Sequence, residues 1–428
     1  MTSSLFSRRS SVVVFGILLV AVAGCETRPG TVDRWANRPG SEERFLGYLR
    51  DPTLSLEVKE RALYHIVNQW QHASRYMVDG APLREMPDAA ERDRLLLGVL
   101  PTLEERAASE TIQRYHARDI AFHFSRGTDG QEVRDRYRQF LVSWTDRYWD
   151  PCRAAGGVPM RAVLEMIGEE AGAPFVAARI QGLEFAEVIS CLPAQLSGLA
   201  WLPTSETVAR AYTERWDAGR ILTGESRTDQ EAMVRYLELM DVVGPTDHMK
   251  SWIIERLGDP AARYGFFLSQ ILANHREPED SARYLAALAT DTGFRWMAFG
   301  ILVQGDGAAG LTRALEALPA SETYDTLAGQ ARTDGLRAGA QRICTAQLLD
   351  ELRDDLRPVF ERFAQRSDRP AAQALAVACL GVVGNANSVA LLARLRTEQG
   401  RQPAALPGWA GGTLVDVIDA ALQALQQG

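Results

Sequence analysis

The chain has 428 residues, 46% of them hydrophobic and 24% charged, the balance of a folded globular protein long enough to bury a large core. Its formal net charge of −8 disfavours nucleic acid and anionic lipid surfaces as partners, and its apolar content argues against disorder. Lys59 and Lys250 are the only lysines, so nearly all the positive charge is arginine, a bias that identifies no partner.

Taken from the start, Arg8 and Arg9 precede an uninterrupted apolar run from Val12 to Gly24. That run has the length of a signal-peptide core and falls short of the ~20 residues a helix needs to cross a bilayer. The segment Val22-Ala23-Gly24-Cys25 resembles the lipobox of bacterial lipoproteins, in which an apolar residue and two small ones precede the acylated cysteine. The resemblance implies that residues 1–24 are a signal peptide and that Cys25 carries lipid. The membrane is then reached through acyl chains, each buried methylene contributing ~0.8 kcal/mol. Glu26 stands where an Asp would favour inner-membrane retention, so the expected location is the cell envelope, on the periplasm-facing side of the outer membrane. Without residues 1–24 the 47 basic residues become 45 against 55 acidic ones, a net charge of −10.

Residues 25–40 contain Pro29, Gly30, Pro39 and Gly40 with little periodic apolar content, and read as a flexible lipidated tether. From Ser41 onwards apolar residues recur at helical spacing and strand alternation is missing, so residues 41–428 read as an all-α body. In its first unit, Phe45, Leu46 and Leu49 line one helix, Asp51-Pro52 ends it, and Ser55 is placed to cap the next. That second helix carries Val58, Ala62, Ile66 and Trp70. The same grammar returns at Leu285, Leu288, Asp291, Arg295, Ala298 and Leu302, and again from Phe360 through Asp368 to Leu380.

Gly168, Gly244 and Gly384 each follow two apolar residues, as left-handed helix stops would, with separations of 76 and 140 residues. These are near two and four periods of 35 to 38 residues, the mark of stacked helical pairs. Asp51-Pro52 with Ala62, and Asp368 to Gly384 followed by Val389 and Leu392, resemble HEAT-type (armadillo-type) repeats, which implies an α-α superhelix. The pattern is less regular at about 74–227. Residues 77–88 and 401–412 read as insertions, and Leu414, Val417, Ile418, Ala421 and Leu425 as the apolar face of a terminal capping helix.

Four cysteines remain beyond Cys25: Cys152, Cys191, Cys344 and Cys379. In an exported protein they permit disulfides, and separations of 39 and 35 residues favour Cys152 with Cys191 and Cys344 with Cys379. Buried free thiols acting as small hydrophobes are the open alternative.

No zinc-type cysteine pair, phosphate loop, dinucleotide fingerprint or nucleophile elbow occurs, so no metal, cofactor or catalytic residue is assigned. His65 and His72, and His116 and His123, lie seven residues apart, a helical rise of ~10.5 Å that is too long for one ion to bridge. The aromatic stripe Tyr137, Phe140, Trp144 and Tyr148, with Trp149 beside it, reads first as helix packing. Trp409, in a Pro/Gly-rich loop, is the candidate partner contact. The expected function is a non-catalytic scaffold or adaptor that binds a protein partner and no nucleic acid. The alternatives are a helical envelope enzyme or accessory domain, for example one acting on peptidoglycan, and a carrier of apolar ligand.

Overall fold

A computed structural model describes residues 28–36, 38–153, 156–218, 227–257, 264–288, 295–318, 347–400 and 413–427. The fold is all-α, with no β-strand among the described residues. The chain divides into two compact units, residues 1–211 and 212–428. The first contains α1 (Pro29–Trp35), α2 (Ser41–Arg50), α3 (Leu56–Asn68), α4 (Trp70–Ala73), α5 (Ala81–Arg84), α6 (Ala89–Ala108), α7 (Gln113–Ser125), α8 (Gln131–Tyr148), α9 (Met160–Ile167), α10 (Glu169–Gly182) and α11 (Phe185–Leu196). Helix α12 (Glu206–Asp217) carries the division. The second unit continues through α13 (Arg227–Val242), α14 (Asp247–Leu257), α15 (Gly265–Asn274), α16 (Asp280–Leu288), α17 (Arg295–Ala317), α18 (Gln347–Phe363), α19 (Pro370–Val383), α20 (Ala386–Gln399) and α21 (Leu414–Gln427).

The first hairpin shows how the pattern folds. Phe45 and Leu49 of α2 and Val58, Ala62 and Ile66 of α3 are wholly buried, and each large side chain withdrawn from water contributes roughly 1.5–3 kcal/mol. Asp51 ends α2 in an extended conformation and accepts bonds from the Thr53 amide and hydroxyl at 2.8 and 2.7 Å. Ser55 occupies the N-cap of α3, but its hydroxyl makes no capping bond; its carbonyl starts the helix instead.

Within each unit, side-chain ties bridge about one period of sequence. In the first, Lys59 reaches Glu91 at 2.6 Å, Arg106 reaches Asn68 at 2.8 Å, Thr128 donates to Asp93 at 2.6 Å and Tyr137 to the Leu96 carbonyl at 2.8 Å. In the second, His248 meets Thr213 at 2.8 Å, Trp252 donates to Asp217 at 3.0 Å, His275 meets Asp241 at 2.9 Å and Lys250 donates to Asp280 at 2.8 Å. Every one of these pairs is 30 to 41 residues apart, so the helices that carry them are bonded to a helix about one period away.

Both lysines belong to this ladder. Each is the fourth residue of its helix, each is at most 1% exposed, and each meets an acid in the first turn of a helix one period later. Glu277 supplies Lys250 with a second carboxylate at 2.8 Å. Burial works against the charge on Lys250, yet its bonds to Asp280 and Glu277 hold its pKa above the ordinary lysine value.

Two expectations are corrected, for the tether and for the glycine stops. The proposed tether contains α1, which begins at Pro29 and buries Val32 completely. Asp33 binds Arg61 at 2.5 Å and His65 at 2.7 Å, and Trp35 lies under the guanidinium groups of Arg38 and Arg44. Residues 29–36 therefore form part of the body, because charge and one valine supply contacts that apolar periodicity does not reveal. Of the three glycine stops only Gly168 has positive φ, at 78°. Gly384 is extended at φ −68° and ψ 168°, and a Cβ at Gly244 would collide with His275, so that glycine serves close approach. The 77–88 insertion is itself folded: it holds α5, and Asp88 caps α6 through the Ala90 and Glu91 amides. Residues 401–412 lie outside the described residues. In α21, Leu414, Val417, Ile418 and Ala421 are buried.

Candidate functional site

Helix α7 is the most heavily buried helix of the first unit, and it carries polar groups into that burial. His116, Asp119 and His123 stand at positions i, i+3 and i+7, so one face of α7 presents all three. They open into a cavity of about 580 Å³. Trp70, Gln71 and Ser74 form a second wall, and Gly156 to Pro159, with Ala162, a third. Ile112, 57% exposed, and Arg126 stand at its margins.

The wall behind the cavity is an ion pair built into the helix. Arg118, 4% exposed, donates from Nε and Nη2 to Asp119 Oδ1 at 2.9 and 2.7 Å, and from Nη2 to the Val158 carbonyl at 2.9 Å. Its guanidinium also faces the Trp144 ring at 5.2 Å. Asp119, likewise 4% exposed, accepts from the Val158 amide. Burial holds the Asp119 carboxyl above its ordinary pKa, opposed by Arg118 and by that amide. Such an arrangement needs backbone in direct contact with the carboxylate. Gly157 provides it: its φ is +98°, and a Cβ there would fall 1.8 Å from Asp119 Oδ2.

The histidines differ in setting. His116 is held below the usual imidazole pKa, first by burial and then by the charge of Arg106. His123 packs on Trp70, with ring centroids 5.9 Å apart, and on Phe122 at 5.4 Å. Arg126 lies over Phe122 at 5.5 Å. Among the described residues no group of three or more His, Cys, Asp or Glu is arranged to hold a metal ion.

The sequence singled out other positions, and the structure distributes them. Cys152 and Cys191 are joined by a disulfide that ties the segment after α8 to α11. Beside it, Trp149 donates to Gln195 at 2.8 Å, and Gln195 donates back to the Pro151 carbonyl. The staple thus holds the beginning of the segment whose end walls the cavity. Cys379 is buried in α19 and disulfide-bonded, whereas Cys344 lies outside the described residues. Cys25 and Trp409 also lie outside them.

In the aromatic stripe Tyr137, Phe140, Trp144 and Trp149 are all at most 8% exposed and serve packing. Trp149 and Trp201 do not line the cavity; a Cβ at Gly172 would come within 2.8 Å of the Trp201 ring. Asp119 and Gly157 were not anticipated. The available signals were an Arg-Asp pair inside the apolar course of α7, between two histidines, and the Gly156-Gly157 pair before Val158-Pro159.

No helix among the described residues is long and apolar enough to cross a membrane. Compared with known proteins, the chain matches no family model and no curated relative.

Proposed function

We propose that this chain is a non-catalytic, lipid-anchored scaffold or adaptor of the bacterial cell envelope, which binds a protein partner through HEAT-like helical repeats. Lipid on Cys25 attaches it, and Glu26 directs it to the periplasm-facing side of the outer membrane. The observation that supports the scaffold reading is the ladder of ties at 30 to 41 residues in both units. Helical pairs bonded at one-period intervals build extended surfaces, and such surfaces suit macromolecular recognition better than turnover of a small substrate.

One observation favours the second reading, an envelope enzyme or accessory domain: a buried acid, Asp119, lines a cavity. Asp119 is engaged by Arg118 and by the Val158 amide, which suits it to holding structure rather than passing protons. The test is crosslinking in intact cells followed by recovery of the chain and mass spectrometry. The scaffold reading expects the same protein partner in replicate experiments. Replicates that recover no common protein would overturn it.

A further inference from the structure

We infer that the α7 cavity binds a small organic carboxylate, an anionic head on an apolar body. This goes beyond the scaffold reading and does not rest on it. The charges around the cavity are lopsided. Asp119 is the only acid lining it among the described residues, and Arg118 neutralises that carboxylate from within the wall. Arg126 stands at the margin with its guanidinium over the Phe122 ring, where it keeps its full charge. Two imidazoles, His116 and His123, also line the walls.

A further cation lies close by without an acid. Arg106 of α6 is 8% exposed; its Nη1 donates to Asn68 at 2.8 Å and its Nε meets no acceptor. Burial lowers its pKa, and no carboxylate acts against that. Arg106 does not line the cavity, but its charge reaches His116, which does, and helps to hold that imidazole below its usual pKa. A buried guanidinium with no counter-charge is costly, and an anion bound beside His116 supplies the missing sign. The first turn of α9 adds to the same field: Pro159, its N-cap, and Ala162 line the cavity, so the positive end of that helix opens onto it.

The rest of the lining sets the body of the ligand. Trp70, Phe122, Val158 and Pro159 supply aromatic and apolar surface, and the volume of about 580 Å³ is within the roughly 300–1,000 Å³ usual for small organic molecules. A neutral ligand would gain nothing from the positive field, and a cation would be repelled by it. An inorganic anion would leave the apolar walls uncovered.

The experiment is calorimetric titration of the full chain, in an uncharged detergent, with phenylacetate and hexanoate. Phenylacetamide, 2-phenylethylamine and inorganic phosphate are the comparison probes: the same body without charge, with the opposite charge, and an anion without a body. The expected result is saturable one-to-one binding of at least one carboxylate, at least tenfold tighter than every comparison probe. Arg126→Gln, at an exposed position, should weaken it at least fivefold in a chain that circular dichroism shows to be folded. Arg106→Met should weaken it by a similar factor without lowering the urea midpoint of the ligand-free chain, since it removes a buried cation that has no acid. Failure of both carboxylates to bind, binding of any comparison probe as tight as theirs, or unchanged affinity in folded Arg126→Gln would each overturn the inference. So would an Arg106→Met chain that folds and keeps the native affinity.

Discussion

At Lys250, one ammonium group meets two carboxylates, and removing it leaves Asp280, itself 7% exposed, without its cation. Lys250→Met is expected to destabilise the second unit by roughly 3 kcal/mol, measured by urea denaturation, since breaking a buried pair strands the remaining charge. Gly157→Ala should cost about 1–3 kcal/mol in the first unit, because an L side chain is strained at φ +98° and its Cβ would strike Asp119. His116 gives a pH dependence. Its folded pKa lies below 6.5, so the unfolded chain binds the proton more readily. The stability it contributes is complete above pH 6.5 and is lost as the pH falls through the lowered value. Unfolding midpoints between pH 7 and 5 should therefore decline, and His116→Asn should flatten the decline; an equal slope in the variant would contradict the assignment. None of these roles is legible from residue type alone. The presence of only two lysines among 428 residues identified no partner, and their place as ties depends on which helix lies one period away.

At the level of elements, the hairpin from Ser41 to Asn68 was legible in sequence because burial and period coincide there: Phe45, Leu49, Val58, Ala62 and Ile66 all point inward. Helix α1 was not legible, since Pro29 and Gly30 resemble a linker and only Val32 of its residues is buried. The α7 cavity was half visible. His116 and His123 stood out by spacing, but the segment that faces them comes from Gly156 to Pro159, brought there by tertiary packing. The disulfide between Cys152 and Cys191 connects positions 39 residues apart, and chain entropy sets its contribution at about 4 kcal/mol at most. Reduction, or the paired Cys152→Ser and Cys191→Ser variant, should lower the urea midpoint of the first unit and speed proteolysis of the segment between α8 and α9. An unchanged midpoint with unchanged proteolysis would show that the surrounding bonds of Trp149 and Gln195 suffice.

At the scale of the whole molecule, a 428-residue chain divides into two units that use the same device, a buried lysine tied to an acid one period onward. That recurrence supports the repeat reading more directly than the glycines did, because Gly168, Gly244 and Gly384 proved to have three different backbone roles. Function was less legible than fold. Helical repeats of one architecture serve many partners, so the assignment rests on how the chain is held and what it touches. The proposed membrane attachment depends on one atom, the sulfur of Cys25. Growth of cells with a fatty-acid analogue, followed by recovery of the chain, tests this most directly. The account predicts label on the native chain, which fractionates with membranes, and none on Cys25→Ala. Equal labelling of the two would contradict it.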